Sequence, residues 1–361
     1  MKERVLSIFH NTPEELDAVV LVNDVEPNLD TSFYYATGVQ SGLFEQCAVV
    51  LWPDGRSELF ASSLEETSAL TSGSEVRAYG KKAERDQMLA SALKGLKRVG
   101  ICGSGLTYRM LQEVRKWTDA ELVDVWKAVE AARAIKDEVE IENLRTACRI
   151  ASEVGEQLPS IVRPGMTEVE AAAEVSYLMQ RKGASAPSFP TNASFGPNSA
   201  EPHHSPGEDR LKAGDTVLFD FGALFKRYGS DVTRTLFFNK ASKRQKRMYE
   251  LVLGAQLAGI EAIRAGVNGK DVDAAARKVI DSSEFKGLFI HSLGHGIGLS
   301  VHDGGRMAPD LDLVLEENMV LTVEPGVYVR GEGGVRIEDD VRVTKDGCEV
   351  LTPAPKELRV V

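Results

Sequence analysis

The sequence predicts two domains, an α/β domain followed by an α+β domain that contains an internal duplication. The chain has 361 residues, which is too long for one typical core. Of these residues 43% are hydrophobic, which is enough to form a core in each of two domains. Short strand and helix patterns alternate up to about residue 127, and longer amphipathic helices follow. A sequence unit near residue 164 returns near residue 265. We therefore place the domains at 1–127 and 128–361.

The first domain is predicted to be α/β because five short apolar runs alternate with helical or turn-forming segments. Pro53-Asp54-Gly55 predicts a hairpin turn between the second and third strands. Gly103-Ser104-Gly105 resembles part of a dinucleotide-binding loop but lacks the third glycine, so we favour a plain strand-to-helix connection. The predicted strands are Ala18–Val22, Ala48–Trp52, Ser57–Ala61, Glu75–Tyr79 and Arg98–Cys102.

The second domain begins with a long amphipathic helix. Apolar residues recur at helical spacing from Leu144 to Ile161, and Arg163-Pro164-Gly165 ends the run. Thr167 and Glu170 then form a capping box, which predicts the start of a second helix.

This helix start occurs twice. The stretch PGMTEVEAAA, beginning at Pro164, resembles AGVNGKDVDAAA, beginning at Ala265. Alanine-rich helices with an acidic first turn also resemble one another by chance, so the match alone does not establish a duplication. The segments that follow the two copies agree as well, and this agreement favours a domain built from two related halves.

A hairpin that carries two carboxylates follows the first copy. Its predicted strands, Thr216–Leu224 and Asp231–Phe238, flank a polar turn at 226–230 and contain Asp220 and Asp231. Because the two acids lie symmetrically about the turn, we expect them opposite or nearly opposite each other on one face.

A similar hairpin follows the second copy. The strands Met319–Glu324 and Val335–Val343 flank a glycine-rich turn at 330–334 and contain Glu324 and Glu338. The spacing from helix to first acid also agrees: 51 residues from Val169 to Asp220 and 52 from Val272 to Glu324.

Four carboxylates on apolar strands predict a metal centre. Their burial is very costly unless cations compensate the charge. Two divalent ions balance four negative charges, and a two-metal site also generates a nucleophilic hydroxide at neutral pH, so hydrolysis is the chemistry we expect. For the neighbouring Asp339 and Asp340 we expect solvated or hairpin-stabilising positions.

The histidines are concentrated in the same region. Five of the six lie between positions 203 and 302, and three of these fall in the glycine-rich stretch HSLGHGIGLSVH between the hairpins. Such histidines are typical metal ligands and proton-transfer groups, and we expect one to complete the metal site. A phosphate-binding loop is disfavoured because no Lys-Ser/Thr pair follows the glycines.

Charge and cysteine content argue against several classes of protein. With 43 Lys plus Arg against 54 Asp plus Glu, the net charge is -11, so we expect no nucleic-acid partner. No run approaches the roughly 18 apolar residues of a membrane helix, and the apolar stretch near the N terminus is too short for a signal peptide. The four cysteines lie far apart, which predicts neither a disulfide framework nor a zinc knuckle. We expect a cytoplasmic protein without a membrane partner.

The second domain resembles the creatinase/prolidase/methionine aminopeptidase family of metallopeptidases, whose catalytic domain has the pita-bread fold. The resemblance extends from Arg133 to the C terminus. The family's metal ligands are Asp, Asp, His, Glu and Glu in this order, and all five have counterparts. These are Asp220 in LFDFGA, Asp231 in SDVTRT, His295 in GHGIGL, Glu324 in TVEPGVY and Glu338 in RIEDD.

The resemblance implies a role for each ligand. Asp231 and Glu338 would bridge two divalent metal ions, Asp220 would hold one, and His295 with Glu324 would hold the other. Glu324 would also move the proton of the bridging water, whose hydroxide is the nucleophile. A carboxylate-rich site with one imidazole suits Mn²⁺ or Co²⁺, with Zn²⁺ and Fe²⁺ as alternatives.

Three further histidines match active-site histidines of the peptidase branch. They are His203 in the Pro-His-His segment, His291 and His302. By the resemblance they bind the scissile carbonyl and stabilise the tetrahedral oxyanion. Creatinase-type members lack the complete ligand set, so the five matched ligands argue against that branch.

The proline-specific branch fits best, because the N-terminal α/β segment is similar to the creatinase-like domain that most methionine aminopeptidases lack. Such enzymes cleave the bond preceding proline, whose nitrogen carries no hydrogen. Arg306 matches an arginine that pairs with the proline carboxylate in small prolidases, and Arg336 is a second candidate. Asp303-Gly304-Gly305 departs from the Glu-x-Pro that is common in the family, which puts the position of Arg306 in question.

The expected activity is therefore that of a Xaa-Pro dipeptidase (prolidase) acting on dipeptides, and the resemblance implies a homodimer. A Xaa-Pro aminopeptidase (aminopeptidase P) acting on longer proline-containing peptides is the alternative. A peptidase-like binding module without catalysis is the third interpretation, disfavoured because such proteins usually lose metal ligands.

Overall fold

The computed structural model describes residues 1–361, which form two compact units, Met1–Arg133 and Ala134–Val361. The first unit thus extends past residue 127 and includes most of the helix Trp126–Ala134. None of the helices combines the length and apolar content that crossing a bilayer requires.

The first unit is built on one mixed six-stranded sheet with the order β4-β3-β2-β1-β5-β6. The five predicted strands are confirmed with end shifts of at most one residue, as is the hairpin between β2 and β3. The sequence analysis missed β6, whose end residues are exposed acids. The strands are β1 (Ala18–Val22), β2 (Ala48–Leu51), β3 (Ser57–Ser62), β4 (Glu75–Tyr79), β5 (Arg98–Ile101) and β6 (Glu121–Asp124).

Six helices accompany this sheet. Residues from α4 and α5 join the strand valines in an apolar core. The helices are α1 (Lys2–His10), α2 (Thr31–Thr37), α3 (Glu66–Ala69), α4 (Lys82–Ala92), α5 (Tyr108–Trp117) and α6 (Trp126–Ala134).

The second unit contains two pairs of long helices and one short helix. The first predicted helix is interrupted, contrary to expectation: α7 ends at Gly155, and the short α8 carries Pro159, which lacks the N–H needed to continue a helix. The capping box is confirmed, with the Glu170 N–H donating to Thr167 Oγ1 at 3.2 Å and the Thr167 N–H to Glu170 Oε2 at 2.8 Å. The helices are α7 (Glu138–Gly155), α8 (Leu158–Ile161), α9 (Glu168–Arg181), α10 (Lys243–Ala262) and α11 (Gly269–Asp281).

Short antiparallel strands form five small sheets in this unit. Their orders are β12-β9-β8, β11-β10-β7, β13-β14, β15-β18-β19 and β16-β17. The strands are β7 (Ala186–Pro187), β8 (Asn192–Phe195), β9 (Thr216–Phe221), β10 (Ala223–Phe225), β11 (Tyr228–Gly229), β12 (Val232–Phe237), β13 (Gly294–His295), β14 (Arg306–Met307), β15 (Val320–Val323), β16 (Gly326–Val329), β17 (Gly333–Arg336), β18 (Asp339–Val343) and β19 (Cys348–Val350).

The apolar cores follow the predicted duplication. One core packs α7, α8 and α9 against β8, β9 and β12. The other packs α10 and α11 against β15, β16, β17 and β18. Each half therefore supports its own hairpin with its own pair of long helices.

The register of the first hairpin places its two acids on one face, as predicted. Asp220 lies opposite Thr233 in the β9–β12 ladder, and Asp231 precedes Thr233 by two residues. The acids are therefore diagonal neighbours rather than directly opposed. The turn is shorter than predicted, because β10 and β11 continue the hairpin to Lys226 and Arg227, both with positive φ.

The second hairpin brings its acids directly opposite each other. Val323 pairs with Asp339, and Gly326 pairs with Arg336. The two pairings share one register, so Glu324 faces Glu338 in the gap between the two ladders. The side chains of directly opposed residues lie on one face of a sheet.

Candidate metal centre

Three of the predicted ligands form a compact cluster. Asp231, His295 and Glu338 each offer a ligand atom within 4.8 Å of the others, and all three residues are buried. Asp231 lies directly before β12, His295 ends β13, and Glu338 lies between β17 and β18. Strands of both halves therefore contribute to one cluster.

Glu324 and Asp220 complete the group. His295 Nε2 lies 3.4 Å from Glu324 Oε1 and 3.8 Å from Asp231 Oδ2. Burial is the main cause of the raised pKa values of Asp231, Glu324 and Glu338, and the charge of Asp220 raises all three further, so Asp220 acts on the same cluster. The fold thus gathers all five residues that the sequence analysis selected as ligands.

The orientation of His295 suits a metal ligand. Its Nδ1 lies 3.1 Å from the Gly296 carbonyl oxygen, which accepts the Nδ1 hydrogen and leaves Nε2 directed at the acids. Burial lowers the pKa of His295 to about 4, so the imidazole is neutral at pH 7 and its free lone pair is available.

The cluster fits divalent cations because its negative charge has too little compensation within the protein. Burial, followed by repulsion from neighbouring acids, raises the pKa values of Asp231 and Glu338 well above their ordinary range. Burial also raises the pKa of Glu324 to about 8. Asp231 Oδ1 is buried and has no hydrogen-bond partner. An orphaned carboxylate oxygen beside further acids and one imidazole is the donor set that a hard or borderline divalent ion requires.

Two threonine hydroxyls orient the acids. Thr233 Oγ1 donates to Glu338 Oε2 at 2.6 Å, and Thr322 Oγ1 donates to Glu324 Oε1 at 3.3 Å. Thr322 Oγ1 also accepts the backbone N–H of His295 at 3.0 Å. The sequence analysis missed both threonines, although their alternation with the acids along the strands was a readable signal.

Arg336 lies among the acids and is fully engaged there. Its Nη2 donates to Asp220 Oδ2 at 2.6 Å, its Nη1 to the Tyr328 hydroxyl at 3.0 Å and its Nε to Thr233 Oγ1 at 2.9 Å. The residue is only 3% exposed. This arrangement favours a role in holding Asp220 over a role in binding a substrate carboxylate.

His291 is held through both ring nitrogens. Nδ1 lies 2.8 Å from the Ser292 carbonyl oxygen, and Nε2 lies 2.8 Å from the Tyr328 hydroxyl. A carbonyl only accepts, so Nδ1 carries the hydrogen and Tyr328 donates to Nε2. Burial lowers the pKa of His291 to about 4, which is consistent with the neutral ring. Tyr328 is a further site residue that the sequence analysis missed, because it sits in an ordinary apolar strand.

The remaining predicted residues lie on the exposed side. The His302 ring is 4.3 Å from the His295 ring between centroids, and His302 and His203 are exposed. The charge of His203 contributes to lowered pKa values at His291 and His302, although burial is the larger cause at both. Arg306 is exposed and pairs with His295 in the β13–β14 ladder.

The loop before Arg306 is well fixed despite its departure from the Glu-x-Pro pattern. Asp303 is 5% exposed, its N–H donates to the Gly296 carbonyl oxygen at 2.8 Å, and its Oδ2 accepts the Leu299 N–H at 2.9 Å. The Gly296 N–H in turn donates to the Gly305 carbonyl oxygen at 3.1 Å. The backbone that carries Arg306 is therefore bonded to the segment that carries His295.

The prediction of solvated positions for Asp339 and Asp340 was wrong, since both are at most 1% exposed. They lie on β18, the central strand of its sheet, where neighbouring elements exclude water. Asp340 Oδ2 accepts the Asp231 N–H at 2.8 Å, and Asp339 Oδ1 pairs with Arg234 at 2.6 Å. Both acids therefore join the second hairpin to the first within the core.

Comparison with protein families gives matches over most of the chain. Residues 142–345 match the family described as "Metallopeptidase family M24". Residues 12–135 match the "Creatinase/Prolidase N-terminal domain". A Xaa-Pro dipeptidase from Pyrococcus horikoshii is 40% identical over 268 residues, which are 74% of this chain and 76% of that protein.

Solved structures resemble the whole chain. A Xaa-Pro dipeptidase from Bacillus anthracis matches with a TM-score of 0.91 and 35% identity, covering 100% of this chain and 99% of that one. An X-Pro aminopeptidase from Thermotoga maritima matches with a TM-score of 0.89 and 32% identity, covering 96% of this chain and 98% of that one. An α/β domain followed by a pita-bread domain thus occurs in both types of protein.

Proposed function

The chain belongs to metallopeptidase family M24, and we propose on this premise that it is a prolidase, a hydrolase of the Xaa-Pro bond of dipeptides. The observation that carries the proposal is the cluster of two buried and two half-buried carboxylates and one neutral imidazole at the junction of two hairpins. The similarity to a Xaa-Pro dipeptidase over about three quarters of the chain supports the same substrate.

The five clustered residues would hold two divalent ions. These residues are Asp220, Asp231, His295, Glu324 and Glu338. When bound, such ions activate water at neutral pH and stabilise the charge that develops on the reacting oxygen. The carboxylate-rich donor set favours Mn²⁺ or Co²⁺, with Zn²⁺ and Fe²⁺ as alternatives.

Residues of the chain also transfer a proton and bind the scissile carbonyl. Glu324, held by Thr322, accepts a proton at its carboxylate and returns it to the departing proline nitrogen. His203 and His302, on the exposed side, bind the scissile carbonyl and its oxyanion. His291 supports them from a fixed position, because Tyr328 occupies its Nε2.

Arg306 is our candidate for reading the free carboxylate of the dipeptide. It is exposed and lies across the β13–β14 ladder from His295, whereas the three guanidinium nitrogens of Arg336 donate to the protein itself. A guanidinium next to the scissile bond favours substrates that end at the proline.

Two alternatives lead to different measurements. The similarity to an X-Pro aminopeptidase structure keeps cleavage of longer peptides as the second candidate. A binding module without catalysis would have no need for the full set of clustered acids, so the cluster argues against it.

The proposal is tested with a Met-Pro dipeptide and a matched Met-Pro-Xaa tripeptide, using chelator-stripped protein with and without Mn²⁺ or Co²⁺. We expect metal-dependent cleavage with the dipeptide preferred. A preference for the tripeptide would assign an aminopeptidase, and no cleavage of either peptide with any of the metals would refute hydrolysis.

We further propose that the protein acts as a cytoplasmic homodimer without membrane or nucleic-acid partners. Four free cysteines, three of them buried, suit a reducing compartment, and the net charge of -11 disfavours nucleic acid. Light scattering coupled to size-exclusion chromatography tests the assembly, with a mass of twice 39.3 kDa expected.

A further inference from the structure

We propose that Glu168 and Asp273 are positioning residues of the active site. Each is a buried acid on the second long helix of its half, and each holds the segment that carries one active-site histidine. Glu168 holds residues 195–207, the His203 segment, and Asp273 holds residues 289–293, the His291 segment. This inference rests on the proposed function, because it concerns the histidines that function in peptide hydrolysis.

Glu168 is fully buried at the start of α9, and each of its oxygens accepts two hydrogen bonds. Oε1 accepts the Phe195 N–H at 2.8 Å and the Asn198 side-chain amide at 3.0 Å. Oε2 accepts from His204 Nε2 at 2.8 Å and from the Gly207 N–H at 3.0 Å. One carboxylate therefore binds four points along the His203 segment.

These bonds bear directly on His203, which immediately precedes His204. The segment after residue 200 contains no helix or strand before β9, so no regular backbone pattern fixes its path. Side-chain bonds of this kind then determine the conformation of the loop. His204 is tied to Glu168, whereas the neighbouring His203 side chain remains exposed.

Asp273 holds the His291 segment with the help of Arg277, one helical turn later on α11. Asp273 is 1% exposed, and its Oδ1 accepts the Leu293 N–H at 3.0 Å. Its two oxygens also accept from Arg277 Nε and Nη2 at 2.7 and 2.8 Å. Arg277 in turn donates to the Phe289 carbonyl oxygen at 2.7 Å and to the His291 carbonyl oxygen at 2.9 Å.

The two arrangements serve the same end by different contacts. Glu168 binds the main chain on both sides of His203, whereas Asp273 binds it after His291 directly and before His291 through Arg277. Neither carboxylate accepts a hydrogen bond from the side chain of a metal ligand. We therefore expect their loss to misplace the histidines without removing the metal ions. A displacement of about 1 Å in an active site can reduce the rate about 100-fold.

The test is a pair of double-mutant cycles on the metal-loaded enzyme. Glu168→Gln is combined with His203→Ala, and Asp273→Asn with His291→Ala, with kcat, KM, bound metal and Tm measured for every variant. We expect each single positioning variant to lower kcat by about 10-fold or more with metal content unchanged. Once the histidine is removed, the positioning variant should cause no further loss, because coupled residues are non-additive.

His204 supplies a second measurement that does not depend on altering a buried acid. His204→Gln places an amide N–H near the position of Nε2 and should keep most of the activity, whereas His204→Ala should lower kcat.

The Arg277–Asp273 pair has a matched control in the exposed Arg149–Glu153 pair of α7, which has the same i,i+4 spacing. Arg149→Gln breaks that pair and should have no effect on kcat.

The outcomes separate the two proposals. Additive losses in both cycles, or loss of metal in the single variants, would overturn the positioning role while wild-type turnover upholds the proposed function. Absence of Xaa-Pro hydrolysis by the wild-type protein would refute the proposed function and the positioning role together.

Discussion

The Nη2 atom of Arg336 lies 2.6 Å from Oδ2 of Asp220, and the guanidinium is buried among the carboxylates of the cluster. A permanent cation therefore belongs to the site before any metal binds. It compensates one acid, fixes the carboxylate plane of Asp220 and also donates to Tyr328. The structure thus gives this arginine a supporting task and leaves Arg306 as the candidate for substrate recognition.

Replacing Arg336 should harm hydrolysis of every substrate to the same degree. Arg336→Gln leaves Asp220 without its buried partner. We therefore expect kcat to fall at least 100-fold for Met-Pro and for its C-terminal amide alike, because the substitution disturbs the acid cluster that acts on both substrates. Breaking a buried pair costs about 3 kcal/mol of unfolding free energy, measurable in urea. Arg149→Gln, on an exposed pair, should change it by under about 0.5 kcal/mol. A variant that loses only dipeptide cleavage would make Arg336 the carboxylate reader after all.

Replacing Arg306 should instead affect one substrate class. Arg306→Gln removes the charge that binds the proline carboxylate, so KM for Met-Pro should rise about 10- to 100-fold, the value of a charge-assisted pair. The amide of the same dipeptide, which has no carboxylate, should be cleaved as by the wild type. Steady-state kinetics on both substrates tests this, and equal losses would remove Arg306 from substrate recognition.

Removing a metal ligand should lower the metal content and leave the fold intact. His295→Ala and Glu324→Ala are each expected to abolish turnover and to lower the bound metal, measured by mass spectrometry of the purified protein. Far-ultraviolet circular dichroism should stay at the wild-type level, because the surrounding strands keep their ladders. Full activity in either variant would contradict the ligand assignment.

The metal-free protein should lose stability as the pH rises from about 6.5 to 8. The pKa of Glu324 is raised to about 8, so the folded state binds more protons than the unfolded state up to that pH, and stability falls as they are released. The lowered pKa values of His291 and His295, about 4, act in the opposite direction only below about pH 6.5. Differential scanning fluorimetry in chelator should show Tm falling across this window.

Added Mn²⁺ should remove most of this pH dependence, because cations replace the protons on the acids. A Tm that rises between pH 6.5 and 8 without metal would show that the pKa values of the acids are not raised.

Much of this site could be predicted because its chemistry conflicts with its surroundings. Asp220 and Glu324 interrupt apolar strands, and a repeated helix start precedes each at nearly equal distance, so sequence spacing alone pointed to paired hairpins. The symmetric placement of Asp220 and Asp231 about their turn also predicted that both acids lie on one face of the hairpin.

The supporting residues could not be predicted, because their partners are distant in sequence. Asp340 accepts hydrogen bonds from the Cys148 thiol and the Asp231 N–H. Tyr328, on β16, donates to His291 Nε2. Nothing in the local pattern around Asp340 distinguishes a buried acid from a solvated one, since burial there depends on the sheet that forms around β18. Pairings across the two halves only become visible in the folded chain.

The shared register of the second hairpin also determines where the chain can change length. A one-residue insertion between Glu324 and the tip at residues 330–332 that shifted the strand register would turn Glu324 away from Glu338, because neighbouring strand positions face opposite sides of a sheet. Extra residues placed within the tip itself would leave the ladder intact. Natural length variation, or an engineered peptide graft, should therefore be accommodated at the tip and excluded from the strands that lead to it.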